Sequence, residues 1–256
     1  MATKNKTKTK VNIPVFLLVA MIVLGVISGA LVYAHNKNSN HHNEFRFNSN
    51  VVEGIDVSEH NGYIDCQLVA KSQSFAFIRV GYRAYGNGEI YIDKRAIENL
   101  ENASKTELPI GVYFYTQAIN EAEAKQEADF VYDIIKKYDI QLPVIIDFEY
   151  PIDKNSRHTG RLYEANNDKE ENAKIINAFN SRLQKKGYQT GVYASSSVLY
   201  RNIDTDKLID DTLIWCADYN GAVTYNVDYS IWQYSERGSC DGVESKYVDL
   251  NYWYKN

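Results

Sequence analysis

The stretch Leu142-Pro143-Val144-Ile145-Ile146-Asp147-Phe148-Glu149 decides how this chain is read. An apolar run this short, rich in β-branched residues, is a strand covered on both faces, as in a parallel sheet. It stops on acids. Side chains alternate along a strand, so Asp147 and Glu149 leave it on one face with α-carbons about 7 Å apart. Two carboxyls sharing a site resist ionising together, and one is expected to hold a proton near neutral pH.

Outward from this strand, comparable runs recur at Val51 to Val57, Phe75 to Val80, Ile110 to Tyr115, Gly191 to Ala194, Leu213 to Ala217 and Ser230 to Tyr234. Helical segments separate the earlier ones, at Ile64 to Lys71, Asp93 to Lys105, Glu121 to Tyr138 and Glu170 to Lys186. The third carries Ala124, Ala128, Val131 and Ile135 at three- and four-residue spacing, which marks one buried helix face. Gly111 and Gly191 are expected to serve the short turns that return helices to the sheet. Strand-then-helix repetition implies a parallel sheet. After the fifth strand the gaps shorten and the helical signal fades. A closed α/β barrel of eight strands, dressed with helices around its first half, fits a domain of roughly 205 residues, against about 250 for the fully dressed form. The alternative is a doubly wound open sheet. That fold usually has a glycine-rich turn after its first strand, and no G-x-G-x-x-G lies between Gly54 and Gly62.

In a parallel barrel the working groups stand where strands end at their carboxyl edge. Besides Asp147 and Glu149, that rule selects Asp56 in Gly54-Ile55-Asp56-Val57-Ser58 and Asp249 in Val248-Asp249-Leu250-Asn251, the last extended segment. Converging acids without lysine or arginine partners cost energy, so their convergence points to a functional site. Aromatic residues accompany them. Tyr113 and Tyr115 alternate on the third strand, Tyr193 closes the fifth, Trp215 and Tyr219 flank the sixth, and Trp232-Gln233-Tyr234 ends the seventh. Flat rings with polar edges suit the apolar faces and hydroxyls of sugars. The candidate catalytic residues are therefore Glu149, Asp147, Asp56 and Asp249. Tyr113, Tyr115, Tyr193, Trp215, Tyr219 and Gln233 are the candidate substrate-binding residues.

Other chemistries find no support. The chain lacks H-E-x-x-H, G-x-S-x-G, and a G-K-[ST] behind the Gly86-Asn87-Gly88 turn. Cys216 sits in a strand beside Ala217, away from any helix start that would activate a thiol. Cys66, Cys216 and Cys240 are too few for a disulfide scaffold and match no zinc spacing, while a Cys216 to Cys240 bridge stays open at this stage. His60 and His158 belong to no recognisable constellation, and no metal or cofactor is implied.

The amino-terminal region differs in character. Lys4, Lys6, Lys8 and Lys10 precede twenty residues without a charge, Val15 to Ala34. That length spans a bilayer, and the lysines place the amino terminus in the cytoplasm and the rest outside. Residues 35–50 hold six asparagines and three histidines and read as a polar linker, with His41-His42 part of it. The expected organisation is a basic tail at 1–14, a transmembrane anchor at 15–34, the linker at 35–50 and one barrel domain at 51–256. Without the four tail lysines the net charge of -5 becomes -9, which argues against a nucleic-acid partner.

Taken in order, these motifs resemble the glycoside hydrolase family 25 muramidases, the Chalaropsis-type lysozymes. Gly54-Ile55-Asp56-Val57-Ser58 with Gly62 and Ile64-Asp65 is similar to the family's opening strand and turn, and Phe77-Ile78-Arg79-Val80-Gly81-Tyr82 to its second strand. Asp93, Asn99 and Ala103 with Pro109-Ile110-Gly111-Val112-Tyr113-Phe114 resemble the approach to the third. Asp147-Phe148-Glu149 is similar to the family's D-x-E, Trp215-Cys216-Ala217-Asp218-Tyr219 to its W-x-A-x-Y, and Trp232-Gln233-Tyr234 with Val248-Asp249-Leu250-Asn251 to its closing signature. Cys66 departs from the usual tryptophan after Ile-Asp, and Gln117-Ala118 follows the third strand where members vary. The resemblance implies a modified TIM-like (β/α)5(β)3 barrel. It also implies hydrolysis of the β-1,4 bond between N-acetylmuramic acid and N-acetylglucosamine in peptidoglycan glycan strands, with Glu149 as general acid and Asp147 as its ionised partner. Asp147 would act as a nucleophile or orient the substrate's acetamido group. A tethered enzyme suits local wall remodelling, with an envelope-spanning secretion or conjugation assembly as a partner. The competing expectation is a catalytically silent wall-binding scaffold within such an assembly.

Overall fold

The computed structural model describes residues 49–254. The expected tail and anchor, and nearly all of the linker including His41-His42, lie outside the described residues. Among the described residues no helix is long and apolar enough to cross a membrane.

Nine strands form one sheet: β1 Val51–Val57, β2 Phe75–Arg83, β3 Ile90–Ile92, β4 Ile110–Tyr115, β5 Val144–Asp147, β6 Thr190–Ser195, β7 Leu213–Ala217, β8 Ile231–Gly238 and β9 Val248–Tyr254. Their order is β1-β9-β8-β7-β6-β5-β4-β2-β3, and a further β1–β2 pairing closes eight of them into a barrel. β3, which the sequence reading missed, is a three-residue strand folded back antiparallel on β2. The barrel is not wholly parallel as expected, because β9 runs antiparallel to both β8 and β1.

Helices α1 Cys66–Val69, α2 Ala96–Ala103 and α3 Glu121–Ile135 follow the first barrel strands, and α4 Arg161–Glu164 and α5 Lys169–Gln184 lie between β5 and β6. α6 Ser196–Asn202, also unread in the sequence, lies between β6 and β7, and no helix separates β7, β8 and β9. The arrangement is thus five strand–helix units and three bare strands. Local chemistry sets the longer helices: Asn120 accepts from the Glu123 N–H at the start of α3, and Asp168 and Glu171 form a reciprocal capping box on α5. Their buried faces, Ala124, Ala128, Val131 and Ile135 on α3 and Ile175, Ile176, Phe179 and Leu183 on α5, fill the layer between helices and sheet.

The barrel interior is built in tiers. Alternation sends Gly54, Gly111 and Gly191 inward, where large rings need the room. A Cβ on Gly54 would come 2.5 Å from the Phe75 ring, one on Gly111 2.3 Å from Phe77, and one on Gly191 2.5 Å from the Leu213 carbonyl. Gly111 and Gly191 therefore serve interior packing, in place of the turn role expected of them, and neither has a positive φ. Phe75, Phe77, Ile145, Trp215 and Ile231 cluster in this interior with Trp253 against them, the first three directly opposite Gly54, Gly111 and Gly191. One step further along each strand, the same inward face carries Asp56, Arg79, Tyr113, Asp147, Tyr193, Gln233 and Asn251. The apolar tiers hold up the polar one.

Candidate active site

A cleft of about 220 Å³ opens at the carboxyl ends of the parallel strands and the start of β9, and is lined by Asp56, Asp147, Glu149 and Asp249 together with Tyr113, Tyr115, Tyr193, Trp215 and Gln233. The structure thus gathers all four candidate acids and five of the six candidate binding residues. Ser58, His60 and Arg79 complete the lining.

Asp56 is 4% exposed and organises one side of the site. Its Oδ2 accepts from the Gln233 side-chain amide at 2.9 Å and from that of Asn251 at 2.8 Å. The other ends of those amides are fixed as well. Gln233 Oε1 accepts from the Tyr193 and Tyr219 hydroxyls at 2.8 and 2.5 Å, and Asn251 Oδ1 accepts from the Trp215 indole at 2.8 Å. Trp215, at 1% exposure, is chiefly a buried support whose edge reaches the cleft. Tyr219 does not line the cleft; it is half exposed and touches the site through Gln233.

Asp249 stands directly opposite Asp56 across the β1–β9 pair. Two like charges facing each other across strands repel, and a shared proton relieves this. Burial first, and then the Asp56 charge and its hydrogen bond, push the Asp249 carboxyl up to about 8. Burial also raises Asp56, against the lowering effect of its two amide donors. A carboxyl that holds its proton more tightly folded than unfolded stabilises the fold below about 4 and loses that contribution as pH rises. For Asp249 the loss runs until pH passes about 8. The melting temperature of the wild type is therefore expected to fall over this window, and Asp249→Asn to flatten the fall. Relative to wild type the variant gains on the order of 1–2 kcal/mol at the alkaline end. Melting curves across pH check it, and equal slopes in both proteins would reject the assignment.

Asp147 is 5% exposed, and its Oδ1 has no hydrogen-bond partner. Burial and the Glu149 charge push it well above the carboxylate range, and Arg79 opposes them. Glu149, two residues beyond the end of β5, is raised to about 7 by burial and by Asp56, opposed by the Tyr193 hydroxyl. Both carboxyls of the pair are thus pushed up, and the Arg79 charge opposes the rise at Asp147.

Arg79 escaped the sequence reading as a site residue. Its Nε donates to Asp93 at 2.7 Å, and an amino group lies 3.4 Å from Glu59. Asp93, 1% exposed, also accepts from the backbone N–H groups of Glu59 and Arg95. The signal was present, since an arginine sharing parity with Phe75 and Phe77 in a buried strand must point inward. Asn251 was visible only within its motif. His60 does line the cleft, whereas His158 packs against Tyr150 and Tyr163 in the segment after β5. All three cysteines are free, Cys66 and Cys216 buried and Cys240 half-buried, so the structure contains no Cys216 to Cys240 bridge.

A closed barrel whose strand ends bring four carboxyls into one tyrosine-walled cleft has the layout of a glycoside hydrolase. The chain belongs to glycosyl hydrolases family 25, whose sequence profile matches residues 55–243. The modular autolysin LytC of Streptococcus pneumoniae, solved with a synthetic peptidoglycan ligand, is 28% identical with a TM-score of 0.67 over 80% of this chain and 47% of that one. The chain thus spans about half the length of that autolysin. A family 25 glycosyl hydrolase from Bacillus anthracis is 24% identical (TM-score 0.62, 85% of this chain and 95% of that one). The bacterial lysozyme of Streptomyces coelicolor is 22% identical (TM-score 0.62, 80% and 92%). The last two share the fold. No curated protein sequence matches the chain.

Proposed function

We propose that the barrel is a peptidoglycan muramidase that cleaves the β-1,4 bond between N-acetylmuramic acid and N-acetylglucosamine. The observation that carries this reading is the pair of acids at the end of β5, Asp147 buried and Glu149 at about 7, inside a cleft walled by tyrosines. The peptidoglycan ligand of the pneumococcal autolysin supports the same substrate class.

In this mechanism Glu149 protonates the leaving glycosidic oxygen as the bond to the anomeric carbon breaks. Its carboxyl, near 7, can give a proton and take one back at neutral pH. The unpartnered Oδ1 of Asp147 is a ready acceptor for the N–H of the substrate's acetamido group. Held there, the acetamido carbonyl oxygen attacks the anomeric carbon and forms a cyclic oxazolinium. Asp147, ionised with the help of Arg79, offsets the positive charge. Water then opens the ring and gives its proton to Glu149, which restores the acid. Asp56, held by Gln233 and Asn251, shares a proton with Asp249 and sets the charge that Glu149 experiences. Digestion of purified walls tests the proposal, with new reducing ends expected. Free amino groups in their place would indicate an amidase or peptidase, and release of neither would favour the silent scaffold.

We further propose that residues 15–34 anchor the domain in the bacterial membrane in a single pass, amino terminus inside and barrel outside. The uncharged run and the lysines before it support this reading. Anchoring limits cleavage to nearby wall, which suits local remodelling beside an envelope-spanning secretion or conjugation assembly. The full chain is expected to resist extraction of membranes by alkaline carbonate, and a chain starting at residue 35 to appear in the soluble fraction. Carbonate release of the full chain would refute anchoring.

A further inference from the structure

Gln117 follows β4 and is completely buried. Both ends of its side-chain amide are engaged. Nε2 donates to the backbone carbonyl of Glu149 at 3.0 Å and lies 3.4 Å from the hydroxyl of Tyr115, a residue of the cleft wall. Oε1 accepts from the Leu162 N–H at 3.3 Å, in α4. The main chain of Gln117 is clamped as firmly. Its carbonyl accepts from Arg161 at 3.2 Å, and the Arg161 guanidinium grips Glu123 of α3 through two bonds of 2.8 Å. Its N–H reaches the carboxylate of Glu127, which also holds Thr116 and Arg83 at 2.6 Å each.

The position of Glu149 makes this cluster informative. β5 ends at Asp147, and the N–H of Phe148 still bonds the Tyr193 carbonyl at 2.8 Å. Glu149 lies one residue beyond that bond, and its carbonyl is held by the Gln117 amide. The chain then leaves through residues 150–160 and returns to the same amide: Gly160, at φ 89°, has its Cβ direction 3.1 Å from Gln117 Oε1. One glutamine thus ties together the peptide of Glu149, the ring of Tyr115 and both ends of the intervening loop.

We infer that Gln117 is the positioning residue of Glu149, fixing the carboxyl against the scissile bond and coupling it to the loop that follows it in the chain. The inference rests on the reading of Glu149 as general acid. Displacement of a catalytic group by about 1 Å costs on the order of 10²-fold in rate with little effect on substrate binding. Gln117→Met keeps the length of the side chain and removes both amide functions. Gln117→Glu keeps the acceptor for Leu162 and removes the donor to Glu149. Each is made in the full chain and confirmed folded by its melting curve.

The expected result is a fall in kcat of about 10- to 100-fold with KM little changed. The titration midpoint of Glu149, followed by carboxyl carbon NMR and assigned by its loss in Glu149→Gln, is expected to move by about one pH unit as its surroundings loosen. A folded Gln117→Met with wild-type kcat overturns the inference. So does an unmoved Glu149 midpoint, which decides the matter even if wild-type protein releases no reducing ends and the muramidase reading itself fails. Should Gln117→Met not fold, Gln117→Glu gives the same two readouts.

Discussion

Glu149→Gln is expected to lower the release of reducing ends from purified peptidoglycan by about 10²- to 10⁴-fold, the usual contribution of a general acid. An amide of nearly the same shape keeps the contacts of the carboxyl and cannot deliver the proton that the leaving oxygen needs. The loss should therefore fall on kcat, with KM little altered. Stability should not suffer. Burial and Asp56 already hold the Glu149 carboxyl up at about 7, so replacing it removes a group that is costly to ionise in place. A folded protein with a lost rate is the signature sought. The wild type carries a matching pH dependence: activity requires protonated Glu149 and is expected to decline as pH rises through about 7. A rate for Glu149→Gln equal to wild type would end the assignment.

Trp215→Ala carries the largest expected cost in stability, about 3–5 kcal/mol, as for other buried aromatic truncations. Trp215 is 1% exposed and packs on Phe77 and Tyr193 with ring centroids 4.7 and 4.9 Å away. Deleting it opens a void at the centre of the barrel and strands the Asn251 carbonyl that its indole satisfies. The melting temperature should drop by roughly 10 °C in a domain of this size. Trp215→Phe separates the two contributions. It restores most of the volume but not the N–H donor, so about 1–3 kcal/mol should remain lost through the unpaired Asn251 oxygen. If Trp215→Ala melted like wild type and lost only substrate affinity, Trp215 would be a sugar platform and not a support.

Much of this architecture was legible because strands buried on both faces are written locally. The run at 142–149 and its counterparts begin within two residues of barrel strands, although β2 and β8 run three and four residues past the predicted ends, and the buried face of α3 follows from spacing alone. Asp56, Asp147 and Glu149 could be collected by one rule, that a parallel barrel works at the carboxyl ends of its strands, whereas Asp249 reaches the same edge from the start of antiparallel β9. What escaped depends on partners distant in the chain. Gly111 and Gly191 read as turn residues because nothing near them announces the Phe77 ring and the Leu213 carbonyl they must accommodate. β3 is three residues long and exists by pairing back on β2. The reversed direction of β9 cannot be inferred from Val248 to Tyr254, since a strand of that composition fits either orientation. Arg79 was visible by parity, yet its meaning required Asp93 and Glu59. Gln117, a polar residue past a strand end, gave no sign that the Glu149 backbone would rest on it.

Closure of the barrel by β9 bears on the order in which the molecule is made. β1 pairs with β2, its neighbour in sequence, and with β9, which lies much further along the chain. Asp56 waits for Asn251, 195 positions later, before its carboxylate is held. Until those residues have emerged, the growing polypeptide has two unpaired sheet edges and only part of its acid cluster. Contacts of such sequence separation slow folding and delay cooperative assembly. The acid cluster is therefore completed only when β9 is in place, because that strand brings both Asp249 and the Asn251 amide to Asp56.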